Sequence, residues 1–157
     1  MNQRTASGRR RGFTLIELLI VIAIIMTIIM IALPMAKSVL MHAREVAVIK
    51  QIQTLHTAEM QYQSQFGRYA TKLEELGPPA SGSEGPGGAN LIPGELAKGV
   101  KNGYQFILQG NANSYTINAN PVAFNSTGRR TFFSDMSNVI HENWGAEPAT
   151  ANSPEVK

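Results

Sequence analysis

Residues 13–36 read FTLIELLIVIAIIMTIIMIALPMA, and Glu17 is the one charged side chain among them. A helix of these 24 residues is about 36 Å long, enough to cross the roughly 30 Å hydrocarbon core of a bilayer. Arginines at positions 4, 9, 10 and 11 precede it, and basic residues before a span favour a cytoplasmic N-terminus. The stretch therefore predicts one membrane-spanning helix that sends the rest of the chain outward.

Two simpler explanations compete for this apolar stretch. A secretory signal has an apolar core of about 7–15 residues and then a small-x-small cleavage site. The stretch here is longer, and Pro34-Met35-Ala36 matches such a site poorly. An unprocessed single-pass anchor fits the length, but it gives no reason for a carboxylate near the start of the span.

Glu17 has no basic partner in its own helix, because no Lys or Arg lies between Phe13 and Ala36. An ionisable group costs about 2.5–3.5 kcal/mol at the centre of a bilayer and less near its interface. Cleavage before Phe13 would create an α-amine, which is cationic near neutral pH, at a similar depth. The amine of one subunit could then pair with Glu17 of a neighbour. The alternative is a carboxylate that reaches the cytoplasmic interface on its own.

Residues 9–36 resemble the N-termini of type IV pilins and of type II secretion pseudopilins. The similarity is carried by RRGFTLIEL at residues 10–18, with Gly12 before the cleavage site, Phe13 after it, and Glu17. The resemblance implies that a prepilin peptidase cleaves between Gly12 and Phe13 and methylates the new amine of Phe13. It also implies an assembly role for Phe13 and Glu17.

Pro34 lies inside the predicted helix. A proline there removes one backbone hydrogen bond and crowds the preceding turn, which predicts a bend or a locally loosened helix. Many members of the resembled family have a proline at this place, and a flexible point would help the helix to enter a filament. A proline that a membrane helix merely tolerates is the alternative.

The pattern and the resemblance together divide the chain into three segments. Residues 1–12 are a basic leader that is removed, residues 13–36 a transmembrane and polymerisation helix, and residues 37–157 an exported globular domain. We predict an α+β pilin fold with a long N-terminal helix over about 13–66, whose outer half packs on three or four antiparallel strands. The apolar stripe of that outer half is Val39, Ala43, Val46, Ile49, Ile52, Leu55, Ala58, Tyr62 and Phe66.

The remainder of the exported domain predicts a short helix, a loop and a sheet. Thr71-Lys-Leu-Glu74 has the spacing of a capping box at the start of a short helix. Residues 77–90 form a Gly- and Pro-rich exposed loop. Alternating apolar residues place the C-terminal sheet, built of two hairpins, within residues 103–142. From about Glu147 the chain is expected to fray.

Composition argues against several other functions. The 14 basic residues exceed the 11 acidic ones, but loss of the four leader arginines leaves 10 against 11, so the mature chain is nearly neutral. No cysteine is present, which excludes a disulfide or a catalytic thiol. His42, His56 and His141 share no ligand-like spacing and are expected on the surface or in grooves. We therefore predict no enzymatic activity, no catalytic residue and no cofactor.

Two weaker possibilities concern the C-terminal part. Asp135, Ser137 and Asn138 offer oxygen atoms that calcium accepts. However, the chain lacks the Asp-rich spacing of the pseudopilin calcium loops, and Asp135 is expected to form a turn. Arg129 and Arg130 precede two phenylalanines and could contact DNA, although the solvent face of a hairpin explains two arginines equally well.

The sequence thus predicts a filament subunit. The first interpretation is a structural subunit of a type IV pilus, the alternative is a type II secretion pseudopilin in a short periplasmic filament, and a membrane-tethered binding domain is third. By resemblance, the partners are further copies of the chain, a prepilin peptidase and methyltransferase, and an assembly platform with its ATPase. The location is the inner membrane before assembly, then a cell-surface pilus or a periplasmic filament.

Overall fold

The computed structural model describes residues 12–80 and 82–156. Apart from Gly12, the predicted leader lies outside the described residues. The chain divides into two compact units, Met1–Lys37 and Ser38–Lys157, and helix α1 (Leu15–Phe66) runs through both. The α+β, pilin-like class is confirmed, and α1 begins slightly later than the expected start at residue 13.

A single antiparallel sheet follows the helices of the second unit. Two one-turn helices, α2 (Leu73–Leu76) and α3 (Gly94–Ala97), precede it. The sheet has five strands in the order of the chain, where three or four were expected, because a two-residue edge strand pairs with the first long strand. The strands are β1 (Val100–Lys101), β2 (Tyr104–Gly110), β3 (Tyr115–Pro121), β4 (Thr131–Asp135) and β5 (Ile140–Asn143).

The core of the second unit lies between α1 and one face of the sheet. Ile52 and Leu55 of α1 are fully buried there, and every second residue of β2 and β3 points to the same core. This alternation is what a half-buried antiparallel strand requires, because successive side chains leave opposite faces. The strand residues in the core are Tyr104, Phe106, Leu108, Tyr115, Ile117, Ala119 and Phe132.

The predicted apolar stripe of α1 is wrong over its first two turns. Val39, Ala43 and Val46 are exposed, whereas Met41, Glu45 and Val48 are buried. The buried residues recur every three or four positions, and two of them are glutamates. A pattern of apolar residues alone therefore does not identify the buried face of the helix. It comprises Glu45, Val48, Ile52, Leu55, Glu59 and Tyr62.

The capping box expected at Thr71–Glu74 is also wrong. The residue before α2 is Lys72, which makes no side-chain capping bond, and Thr71 Oγ1 instead donates a 2.6 Å hydrogen bond to Glu75 Oε1. Glu75 is preferred because its carboxylate also accepts hydrogen bonds from Tyr62 and Arg68. A tertiary cluster has therefore replaced a local cap.

The C-terminal segment is ordered, which contradicts the expected fraying from Glu147. The backbone carbonyl of Glu147 accepts a 2.7 Å hydrogen bond from Thr131 Oγ1, and the carbonyl of Ala149 accepts one from Asn118 Nδ2. Further along, the backbone N–H of Val156 donates to the carbonyl of Ile140 at 2.9 Å. The segment thus lies along β3, β4 and β5, and its order depends on contacts that are distant in sequence.

Candidate functional site

The N-terminal part of α1 has an apolar surface that the chain itself leaves uncovered. From residue 12 to residue 40 every side chain is exposed, with 87% of Phe13 and 77% of Met30 accessible. Among the described residues, α1 is the one helix long and apolar enough to cross a membrane by length and composition. Lipid or other protein must cover such a surface, because apolar area in water is unfavourable.

The expected cleavage site lies immediately before this helix. Gly12 and Phe13 are exposed and have non-helical backbone. A Cβ added to Gly12 would meet no atom of the described residues within 4 Å. The described fold therefore gives no steric reason for glycine at position 12.

Thr14 and Glu17 form a capping box at the start of α1. Glu17 Oε2 accepts a 2.9 Å hydrogen bond from the backbone N–H of Thr14 and a 2.8 Å bond from Thr14 Oγ1. In return, the N–H of Glu17 donates to Thr14 Oγ1 at 3.3 Å. The Thr-x-x-Glu spacing is the sequence signal for this motif, although no capping box was predicted from it at this position. Both hydrogen bonds to the carboxylate use Oε2, and Oε1 takes part in neither of them.

Pro34 lies inside α1, which remains helical on both sides of it. The proline therefore does not end the helix, as is usual where a membrane helix accommodates the missing hydrogen bond. Its expected part in assembly stays a prediction.

His56 and Asp135, which were considered for metal binding, are each engaged in hydrogen bonds within the second unit. His56 is buried, contrary to the expected surface or groove position, with Nδ1 2.7 Å from Tyr115 Oη and Nε2 2.8 Å from Ser134 Oγ. Asp135 Oδ1 accepts a 2.9 Å hydrogen bond from the N–H of Ser137, which is the geometry of an Asx turn. Within residues 12–80 and 82–156, no group of three or more histidine or acidic side chains is placed to hold a metal ion.

Arg130 joins the helix to the sheet through two carboxylates. Its Nε lies 2.9 Å from Glu45 Oε2, and its Nη1 lies 2.6 Å from Glu142 Oε2. The guanidinium is also 5.1 Å from the ring centre of Trp144. Of the two arginines considered for DNA, Arg130 is thus buried and neutralised, while Arg129 is exposed.

Glu59, near the C-terminal end of α1, is a second buried carboxylate. Its Oε2 accepts a 2.9 Å hydrogen bond from the N–H of Ala70, while its Oε1 is buried and has no hydrogen-bond partner among the residues that the structure describes. Burial raises the pKa of Glu59 to about 7, against the opposing effect of the Ala70 N–H. The nearby Glu75, unlike Glu59, has a cationic partner, because Arg68 Nη1 lies 2.9 Å from its Oε2.

The described geometry defines a class of protein: a long helix with an exposed apolar segment that continues into a small α+β unit. Residues 7–33 match the family model of the prokaryotic N-terminal methylation motif. This match covers the expected cleavage site and Glu17, so the resemblance to a type IV pilin leader is confirmed. The chain therefore carries a type IV pilin-like leader followed by a long apolar helix, features that are similar to those of type IV pilins and pseudopilins. Searches of curated proteins and of solved structures found no significant match.

Proposed function

We propose that this chain is the structural subunit of a type IV pilus. In this proposal the precursor is inserted in the inner membrane with a cytoplasmic N-terminus. A prepilin peptidase removes residues 1–12 and methylates the amine of Phe13. An assembly platform and its ATPase then extract the subunit, and residues 13–36 of many copies pack together in the filament.

One observation carries this proposal: an exposed apolar helix that holds a single carboxylate, one oxygen atom of which the Thr14 cap does not use. The apolar side chains need a cover, and neighbouring helices can replace lipid without exposing them to water. Glu17 Oε2 already serves the helix cap, while Oε1 makes neither of those bonds. An amine from the Phe13 of an adjacent subunit can therefore bind Oε1 while the cap stays intact. Such pairing offsets the cost of removing both charges from water.

Gly12 supports cleavage at the expected position by a different argument. Its surroundings would accept a side chain, so the described fold does not require the glycine. A narrow protease subsite is a sufficient reason for glycine at this position.

Pro34 has a proposed role in the same process. Because proline removes one helical hydrogen bond, the helix is weakest near this residue and can adjust there as it leaves the bilayer.

Two substitutions separate the charge of Glu17 from its capping role. Glu17→Gln keeps an acceptor for the Thr14 cap but removes the charge, since both Glu and Gln serve in capping boxes. Thr14→Val removes the cap hydroxyl but keeps the charge. We expect the Glu17→Gln chain to be inserted and cleaved, yet to give less than about a tenth of the normal yield of sheared filaments. The Thr14→Val chain should give filaments at a yield close to normal.

The outcome of this pair decides the role of Glu17. Normal filament yield from Glu17→Gln would remove the proposed charge pairing. Loss of filaments from Thr14→Val alone would show that the cap, rather than the charge, is what assembly needs. Membrane fractionation and the N-terminal mass of each variant serve as controls for insertion and cleavage.

The choice of a pilus over a secretion pseudopilus rests on the sequence, which lacks the Asp-rich calcium-loop spacing of the resembled pseudopilins. Deletion of the gene tests this choice. A pilus subunit predicts loss of surface fibres with normal protein secretion. Loss of secretion with fibres intact would assign the chain to a secretion filament.

A further inference from the structure

The end of the second unit at which α1 enters carries exposed aromatic and basic side chains. The strand register places Tyr104, Pro121, Thr131 and Asn143 at this end of the sheet. Beyond the strand ends lie the loop after β3 and the turn after β5. We call four of their exposed side chains the base of the unit: Val122 (61% exposed), Phe124 (40%), Arg129 and Trp144 (67%).

An open groove of about 220 Å³ lies between the base and the first residues of α1 that belong to the second unit. Arg129 and Trp144 line it together with residues of the helix. The segment that carries Arg129 is held in place, because its backbone N–H donates a 2.8 Å hydrogen bond to Glu45 Oε1. The helix residues in the groove are Ser38, Met41, His42 and Glu45.

Trp144 is exposed although its indole is firmly positioned. Its Nε1–H donates a 3.2 Å hydrogen bond to Glu142 Oε1, and Arg130 lies against its ring. Phe124 is tied to the same region by a backbone bridge to Gly128. Both aromatic rings are thus exposed on loops that hydrogen bonds hold in place. Exposed aromatic rings in fixed positions are typical of a binding surface.

The position of the base along the chain identifies what faces it. The predicted span ends at Ala36, and Ser38 already lines the groove, so at most about 7 Å of chain separates the two. The charges suit a phosphate layer, because Arg129 is exposed while the nearby Glu45 and Glu142 are both paired with Arg130. Glu147 is the exposed acid in the adjoining turn.

We propose that the base rests on the phospholipid headgroups of the membrane in which the unassembled subunit is anchored. Trp144 lies at the level of the headgroups, where tryptophan is favoured, and Arg129 binds a lipid phosphate with its guanidinium. This inference rests on the proposed function only in requiring that the helix over residues 13–36 is inserted. Release of the base then becomes one of the steps that extraction from the membrane must include.

The test uses Trp144, which is the chain's single tryptophan. The full chain is reconstituted at about one copy per vesicle in phosphatidylcholine and phosphatidylglycerol, with bromine on the acyl chains near the headgroups. We expect strong quenching of Trp144 fluorescence and poor access of iodide to the ring. The control is Trp144→Phe combined with Met136→Trp, which moves the probe to an exposed turn at the opposite end of the sheet. That variant should show less than about half the quenching.

Arg129→Gln should weaken the quenching of Trp144 by about twofold, whereas Lys72→Gln, an exposed cation elsewhere, should leave it unchanged. Protease protection of the inserted helix is measured in the same vesicles. An inserted chain whose Trp144 is unquenched and open to iodide would overturn this inference and leave the filament proposal standing. A chain that does not insert would overturn both. A Trp144 that is shielded from iodide but not quenched by the brominated lipid would identify a protein surface, such as a second copy, as the occupant, and it would also overturn the inference.

Discussion

Arg130 of the segment before β4 is paired with Glu45 of α1 at 2.9 Å, across 85 residues of sequence. Glu45 also accepts the backbone N–H of Arg129, so one carboxylate fixes both the side chain and the main chain of this segment. The pair thus connects the helix with the sheet at the end of the unit where α1 enters.

Removal of the Arg130 guanidinium should strongly destabilise the second unit. Arg130→Met leaves Glu45 buried without its cation, and loss of one partner of a buried pair costs about 3–5 kcal/mol. The matched control is Arg129→Met, which removes an exposed guanidinium and should change the free energy of unfolding by no more than about 0.5 kcal/mol. Urea unfolding of the full chain in detergent, followed by circular dichroism, measures both. Equal effects of the two substitutions would contradict the assigned role of Arg130.

Glu59 should make the chain less stable as the pH rises from about 4.5 to about 7. Burial raises its pKa from the ordinary value of 4.5 to about 7, so the folded chain holds a proton that the unfolded chain has already released. Stability is therefore highest below pH 4.5 for this group and falls by about 2–3 kcal/mol by pH 7. Glu75 titrates in the opposite direction, since its hydrogen bonds from Thr71, Tyr62 and Arg68 outweigh its burial and lower its pKa.

The comparison with Glu59→Gln isolates this effect, because the other groups titrate in both proteins. The difference in unfolding free energy between variant and wild type should grow in favour of the variant between pH 4.5 and 7. A difference that is independent of pH would show that Glu59 is ionised in the folded chain.

His56 should have its effect below neutral pH. Burial lowers its pKa, against the attraction of Asp135, and its ring nitrogens are engaged by Tyr115 and Ser134. As the pH falls below about 6.5, His56 therefore becomes protonated in the unfolded chain while it stays neutral in the folded chain. The free energy of unfolding decreases as a result. Relative to His56→Gln, the wild type should lose stability between about pH 6.5 and pH 5. Parallel pH profiles for the two proteins would be incompatible with a buried neutral histidine.

Gly110 is required by the close approach of two backbone segments. A Cβ on Gly110 would lie 2.0 Å from the carbonyl oxygen of Ala70, so the main chain would have to move. Gly110→Ala should cost about 1–3 kcal/mol of unfolding free energy. At Gly145 the nearest atom to an added Cβ is 3.6 Å away, so Gly145→Ala should be close to neutral. Similar melting temperatures for both alanine variants would refute the packing argument.

Sequence alone was sufficient for the elements whose signal is local. The uniform apolar stretch gave the first half of α1, and alternation of apolar residues gave β2 and β3, because each pattern is written in consecutive residues. The motif at Gly12, Phe13 and Glu17 is equally local. The Thr14 cap is local too, and it was missed only because Glu17 had already been given another explanation.

What sequence could not supply depends on partners far along the chain. Glu45 and Glu59 belong to the buried stripe of α1, yet as acids they were left out of it, since Arg130 and the Ala70 N–H become visible only in the fold. The C-terminal segment reads as polar and short of apolar residues, and its order comes from hydrogen bonds to Asn118 and Thr131. Propensity is a weak guide wherever tertiary contacts decide the conformation.

The central claim is that this helix is processed before Phe13 so that an amine can bind Glu17 of the next subunit. The intact mass and N-terminal sequence of the protein, taken from filaments sheared off the cells that make it, test this most directly. We predict chains that begin at a methylated Phe13, with none that retain the arginines before Gly12. Filaments built from chains that still carry those arginines would contradict it.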